Sequence, residues 1–209
     1  SEKYFLSAIE ILKKMMKSSP NSYLPSIAET YQNMGYLFYS IKEYAKSETY
    51  YIKAHDIFIE LLKEYPTVYN MDIARVEVNM SSLYMDLSSI DKSLTYAQRA
   101  VNHLEKYYKD KNGFICDVFA LALKNMSVCY HKQNQYEEAI SNIDKAIELS
   151  PIQSVVCTKV DCYKKKGELY LNKGDKNEAK KILKKILEIN PDYTNNSNSD
   201  FYKSLSAQD

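Results

Sequence analysis

The sequence predicts an all-α protein, a solenoid of stacked helix hairpins, and three observations carry that prediction. The chain repeats itself: Asn-Met-Ser, two residues and a Tyr stand at Asn79 to Tyr84 and return at Asn125 to Tyr130, 46 residues on. Ala8, Ala54, Ala100 and Ala146 share this spacing, as do Ser1, Ser47, Ser93 and Ala139, then Asn33, Asn79 and Asn125, and Pro20 and Pro66. A period of this size marks an architecture in which each unit buries its apolar face against the next. Within each unit, apolar residues recur at helical spacing. FALALKNMSVCYHK is interrupted by the polar QNQ, and YEEAISNIDKAIEL resumes with Ala139, Ile140, Ile143, Ala146 and Ile147 on one stripe. Finally, four Gly and five Pro in 209 residues are few, and Leu, Ile, Ala, Lys and Glu abound, as a mostly helical chain requires.

The elements follow in order. Residues 1–18 read as a half unit, a second helix without a first. Whole units follow at about 24–64, 68–110, 114–149 and 152–190, the last displaced by 40 residues rather than 46. Turns inside the hairpins fall at Ile41 to Tyr44, Ser88 to Asp91, Gln133 to Gln135 and Asn172 to Asp175. Between units stand Ser19-Pro20-Asn21, Tyr65-Pro66-Thr67, Lys111-Asn112-Gly113 and Ser150-Pro151, each with a Pro or Gly that stops a helix. The solenoid thus spans 1–190, and 191–209 is a polar tail or a linker. Its Asn- and Ser-rich stretch, Thr194 to Asp200, is expected to be mobile. Phe201, Tyr202 and Leu205 could form one turn docked on the last unit.

Composition excludes several function classes. With 45% hydrophobic and 26% charged residues the chain is an ordinary foldable one, and a formal net charge of +1 gives no push toward nucleic acid or anionic lipid. No stretch approaches the roughly 18 apolar residues of a membrane span, and SEKYFLSAIE lacks the basic-then-apolar pattern of a secretion signal. Cys116, Cys129, Cys157 and Cys162 show no CxxC pair, so neither a disulfide framework nor a zinc site is expected. They read as reduced, partly buried thiols of a cytoplasmic protein. His55, His103 and His131 lie in different units without a Cys, Ser or carboxylate at a recognisable spacing. Glycines only at 35, 113, 167 and 174 leave no phosphate loop. Catalytic residues, metal and cofactor are therefore all expected to be absent.

The third unit resembles the tetratricopeptide repeat, a helix-turn-helix unit of 34 residues. Counted from Ala120, it has Met126-Ser127 at positions 7 and 8, Tyr130 at 11, Ala139 at 20, Ala146 at 27 and Pro151 at 32. The others align from Ala28, Ala74 and Val160. Positions 8, 20 and 27 hold Gly, Ala or Ser throughout except at Ile186, because small side chains there let neighbouring helices approach closely. Glu77 departs from the pattern, standing where a bulky apolar residue is usual. So does the unit length, since twelve extra residues per unit would lengthen the helices.

The resemblance implies a right-handed α-α superhelix whose first helices line a concave groove, and hence a non-catalytic scaffold that binds a peptide or helix of a partner protein. Carried over position by position, the groove residues are Asn33, Tyr36, Tyr39, Arg75, Asn79, Ser82, Lys124, Asn125, His131 and Lys165. Gln32, Met85, Asp86, Lys132, Asp161, Lys164 and Glu168 share groove positions. The asparagines in register have two readings: contacts to the backbone of an extended peptide, or bonds between neighbouring helices. The family's clamp for a terminal carboxylate is not expected, because of its residues only Lys124 is present. The last unit is basic, with Lys164-Lys165-Lys166, Lys173, Lys176, Lys180-Lys181 and Lys184-Lys185. Without interleaved aromatics it reads as a polar cap rather than a nucleic-acid surface. An alternative role is the ligand-sensing or regulatory module of a larger signalling or transcription protein.

Overall fold

A computed structural model describes residues 2–15, 22–106, 113–149 and 156–195. Among these residues the chain is all-helical: α1 (Glu2–Met15), α2 (Leu24–Ser40), α3 (Tyr44–Glu64), α4 (Asn70–Asp86), α5 (Ile90–Leu104), α6 (Gly113–Lys132), α7 (Tyr136–Leu149), α8 (Val156–Asn172), α9 (Lys176–Ile189) and a short 3-10 turn, Pro191–Asn195. It divides into two compact units, Ser1–Lys106 and Tyr107–Asp209. In the first, α2 pairs with α3 and α4 with α5 as hairpins, while α1 packs on α2 and α3 on α4. In the second, α6 pairs with α7 and α8 with α9, and α7 packs on α8. Of the tail expected over 191–209, residues 196–209, with the docked turn expected at Phe201, Tyr202 and Leu205, lie outside the described residues, as do the breakers at 19–21, 111–112 and 150–151. Within 191–195 the structure departs from a free polar tail, because Tyr193 is buried against Val160, Ala179, Ile182 and Ile186.

All four hairpins turn in the same way. The residue that ends the first helix is followed by one in the left-handed region: Lys42 (φ 63°), Ser88 (φ 57°), Asn134 (φ 60°) and Gly174 (φ 80°). The N–H of that residue donates to a carbonyl three back, and the next N–H donates to a carbonyl five back: Lys42 to Tyr39 and Glu43 to Phe38, Ser88 to Met85 and Ser89 to Tyr84, Asn134 to His131 and Gln135 to Tyr130, Gly174 to Leu171 and Asp175 to Tyr170. This is the Schellman closure, which satisfies carbonyls left over at the helix end. The second turn begins at Leu87 and α5 already at Ile90, slightly earlier than the spacing suggested, because the closure itself takes up the residues after the cap.

The small residues sit where helices touch. Ala54, Ala100, Ala146, Ala139, Ala179, Ser47, Ser81, Ser93 and Ser127 are all buried. In the first two hairpins the serines also bond across the pair: Ser47 Oγ donates to the Gly35 carbonyl (2.8 Å) and Ser93 Oγ to that of Ser81 (2.8 Å). The core of the first unit then fills with Tyr51, Phe58, Leu61, Ile73, Val76, Met80 and Leu83, and α1 contributes Ile9 to a second cluster with Ile27, Met34, Phe38 and Tyr50.

Tyrosines tie helices together through their hydroxyls. Tyr50 donates to Glu2 (2.8 Å), Tyr84 to Glu48 (2.6 Å) and Tyr39 to Asp86 (2.7 Å). Burial and these carboxylates hold all three phenols above the ordinary range, Tyr50 at about 12. The apolar body packs while the polar tip finds a partner. Cys116 and Cys129 are buried; the side chains of Cys157 and Cys162 lie outside the described residues.

The histidines need a correction. Sequence spacing offers none of them a carboxylate, but α3, α4 and α5 bring two of them to Glu77, the residue at odds with the repeat pattern. His55 Nε2 lies 3.2 Å from Glu77 Oε1, His103 Nε2 lies 3.7 Å from Oε2, and the glutamate is 1% exposed. His103 Nδ1 is held by Asn70 Oδ1 at 3.0 Å, and Asn70 Nδ2 donates to the Pro66 carbonyl. Oε1 of the buried carboxylate thus has a hydrogen-bond partner, while buried Oε2 has only the longer contact to His103 and no hydrogen bond within the protein.

Candidate binding site on the first helices

Helix α2 buries Ile27, Ala28, Met34, Gly35 and Phe38. Three or four residues apart on another face stand Glu29, Gln32, Asn33 and Tyr36, one stripe of a 3.6-residue helix. Arg75 and Asn79 are one turn apart on α4. These six side chains enclose a polar cup of about 390 Å³ between α2 and α4. Four residues expected in a groove, Asn33, Tyr36, Arg75 and Asn79, therefore meet in one place.

The floor of the cup is out of balance. Gln32 is 6% exposed, and its side-chain oxygen has no hydrogen-bond partner within the protein. Arg75 Nη2 donates to Asp72 Oδ1 (3.3 Å), but its buried Nε has none. Burial raises the Asp72 carboxyl above the usual carboxylate range, against the lowering effect of Arg75 and with a contribution from Glu29. At the rim, Tyr36 is 61% exposed, a rigid amphipathic surface. Amides, a guanidinium and a phenol offer both donors and acceptors, which suits recognition of polar backbone or side-chain groups rather than bond-breaking chemistry.

In the second unit the first helices α6 and α8 enclose a smaller pocket of about 260 Å³, lined by Ser127, Val128, His131, Lys132, Lys165, Glu168 and Leu169. His131 and Lys165 were expected in the groove and meet here. The remaining candidates stand apart from both cavities. Tyr39 is half-buried and bonded to Asp86, Ser82 Oγ donates to the Val78 carbonyl (3.2 Å), and Lys124 is half-buried. The asparagines in register differ: Asn33 is exposed, Asn79 half-buried and Asn125 7% exposed. Glu29 is a lining side chain the spacing did not name, and Gln32, which it did place at a groove position, gave no sign that its oxygen would be orphaned. A wider depression of about 660 Å³ between α1, α2 and α3, lined by Leu24, Ile27, Tyr31 and Ile57 with Lys13, Lys53 and Asp56, opens away from this stripe.

Family models described as tetratricopeptide repeat match residues 28–57, 120–152 and 160–193, which lie in the first, third and fourth hairpins. The chain belongs to the tetratricopeptide repeat family. Solved structures share this repeat fold. BtubC (BKLC) from P. vanneervenii superposes with a TM-score of 0.71 and 17% identity over 91% of this chain and 74% of that one. Aspartyl phosphate phosphatase F from Bacillus subtilis gives 0.70 and 19% over 96% and 49%, and the apo form of RapI 0.72 and 16% over 91% and 64%. The chain spans about half the length of the phosphatase and under two thirds of RapI. At these identities the likeness establishes the fold alone. No curated protein matches the sequence at a significant level. Tetratricopeptide repeat proteins generally mediate protein–protein interactions, and among the described residues no helix is long and apolar enough to cross a membrane.

Proposed function

We propose that this chain is a non-catalytic scaffold that receives a peptide segment or helix of a partner protein along its first helices. The observation that carries this reading is the α2–α4 cup, where exposed or half-buried Asn33, Tyr36, Arg75 and Asn79 surround an orphaned Gln32 oxygen. An unpaired buried polar atom costs a free protein about 1–3 kcal/mol. A partner's N–H reaching Gln32 after a small side-chain rotation removes that cost. The asparagines at the rim then act as sequence-tolerant donors and acceptors.

The reading is tested by placing a photo-crosslinking side chain at Tyr36 or Asn79, and as a control at Ile52 on the outer face of α3, in cells that express the protein. It expects one discrete partner captured from Tyr36 and Asn79 but not from Ile52. Equal capture from all three positions contradicts it. A second reading, the regulatory part of a larger signalling protein, is favoured by the chain spanning only 49% of the phosphatase it resembles in fold. A fused effector domain in the full reading frame decides for it. The basic fourth hairpin lends little to a nucleic-acid role: Lys165, Lys166, Lys173 and Lys181 pair with Glu168, Asp144, Glu137 and Glu178.

A further inference from the structure

The α6–α8 pocket differs in chemistry from the cup of the first unit. Its charged lining is Lys132, Lys165 and Glu168, two cations against one anion, over an apolar floor of Val128 and Leu169. Both lysines are exposed enough to move. Lys165 Nζ donates to Glu168 Oε2 at 2.7 Å, so one internal carboxylate already occupies one of the two cations. Asn172 Nδ2 donates to His131 Nε2 (2.9 Å), which leaves the proton of the neutral imidazole on Nδ1 as a further donor.

We propose that this pocket receives one acidic side chain, Asp or Glu, from a protein partner, its carboxylate held by Lys132 and Lys165 and its stem laid on Val128 and Leu169. The proposal rests on the scaffold reading and adds the chemistry of the partner. It is not the family's terminal-carboxylate clamp, whose positions here are mostly filled by other residue types. The ligand is a side chain within a segment, and Glu168 stands in for it in the free protein. A nucleic-acid phosphate fits less well, because Glu168 lines the pocket and the lining holds no Phe, Tyr or Trp to stack a base.

A consequence involves His131. Burial first, then Lys165 and Lys132, hold its imidazole below the ordinary histidine range, with Glu168 opposing. The groups facing it are Lys165, Glu168 and Asn172 from α8, Lys132 from α6, and the Tyr136 ring from α7 at 5.6 Å. An arriving carboxylate adds a negative charge and favours the imidazolium. Binding then takes up a proton, and affinity rises as pH falls through the histidine range.

The experiment uses the whole chain labelled for NMR and two peptides, acetyl-Ala-Ala-Glu-Ala-Ala-amide and its Gln counterpart. Saturable shifts at His131, Lys132 and Lys165 are expected with the Glu peptide, and binding about tenfold weaker with the Gln peptide, the size of one charge-assisted contact. Lys132→Gln and Lys165→Gln should each weaken binding, Glu168→Gln should tighten it, and saturation should raise the His131 titration midpoint. Circular dichroism confirms that each variant is folded. Equal binding of both peptides, no response at His131, or a response only to a short single-stranded oligonucleotide overturns the proposal. The crosslinking test lies in the other unit and makes no use of these residues, so failure here leaves the scaffold reading standing, and failure there is seen separately.

Discussion

Gly35 lies so close to the Tyr51 ring that a Cβ on residue 35 would stand 2.5 Å from Tyr51 Cδ1. Tyr51 is 1% exposed and locked into the core of the first unit, so the ring has little room to give. One repeat on, the same two positions hold Ser81 and Ala97, a larger residue on the first helix against a smaller one on the second. Volume is exchanged across the hairpin rather than conserved at either site. Gly35→Ala is therefore expected to destabilise the protein by about 1–3 kcal/mol in urea unfolding, as overpacking does. Adding Tyr51→Leu should cost less than the two single changes together.

The shared left-handed turn residue gives a backbone prediction free of packing. At Gly174 no heavy atom lies within 4 Å of an added Cβ, so Gly174→Ala isolates the conformational penalty at φ 80°, about 1 kcal/mol. The reverse holds at Lys42 and Ser88, where Lys42→Gly and Ser88→Gly should raise stability by up to about 1 kcal/mol, less the chain entropy glycine adds to the unfolded state. Thermal melts of the three variants check both signs.

Glu77 is held between His55 and His103, with a loss of packing and of partners if it is removed. Glu77→Ala should lower stability by about 3 kcal/mol, since half-buried His55 loses its hydrogen-bond partner, half-buried His103 loses a nearby charge and a cavity opens. Glu77→Gln keeps an acceptor and should cost clearly less. Comparable losses for the two would mean that the carboxylate interacts with neither histidine.

Alkali should unfold the chain through its tyrosines. Tyr50 ionises at about 12 in the folded state, whereas an unfolded tyrosine ionises near its ordinary value of about 10. The group's contribution is complete below pH 10 and is lost as pH rises toward 12, because the unfolded state sheds its proton first. Tyr39, Tyr51 and Tyr84 shift in the same direction. Melting temperature should fall steadily above pH 10, and Tyr50→Phe should make that fall shallower.

Hairpin order, the small contact residues and the position of each turn were legible in the sequence, because helical spacing and close approach leave marks at fixed intervals. The turn's conformation was not, since only Gly174 and Asn134 are residue types that favour a left-handed conformation, while Lys42 and Ser88 adopt it under the Schellman closure. Glu77 announced itself as an apolar position filled by an acid. Its partners could not be read, because they come from two other helices and are set by helix packing rather than by spacing. The asparagines in register looked equivalent, yet Asn33 is exposed and Asn125 buried, because burial at a repeated position depends on what the neighbouring helix supplies. Asn125→Ala would consequently mix folding with binding, whereas Asn33 and Asn79 both border the cup and avoid that difficulty.

The most direct measurement of the scaffold claim is a titration of the crosslinked partner segment against Asn33→Ala/Asn79→Ala, with its melting temperature beside it. The account predicts an affinity loss of about tenfold or more, for two polar contacts at roughly 1 kcal/mol each, with a melting temperature within a few degrees of the parent. Unchanged affinity would place the partner elsewhere on the molecule and contradict the account.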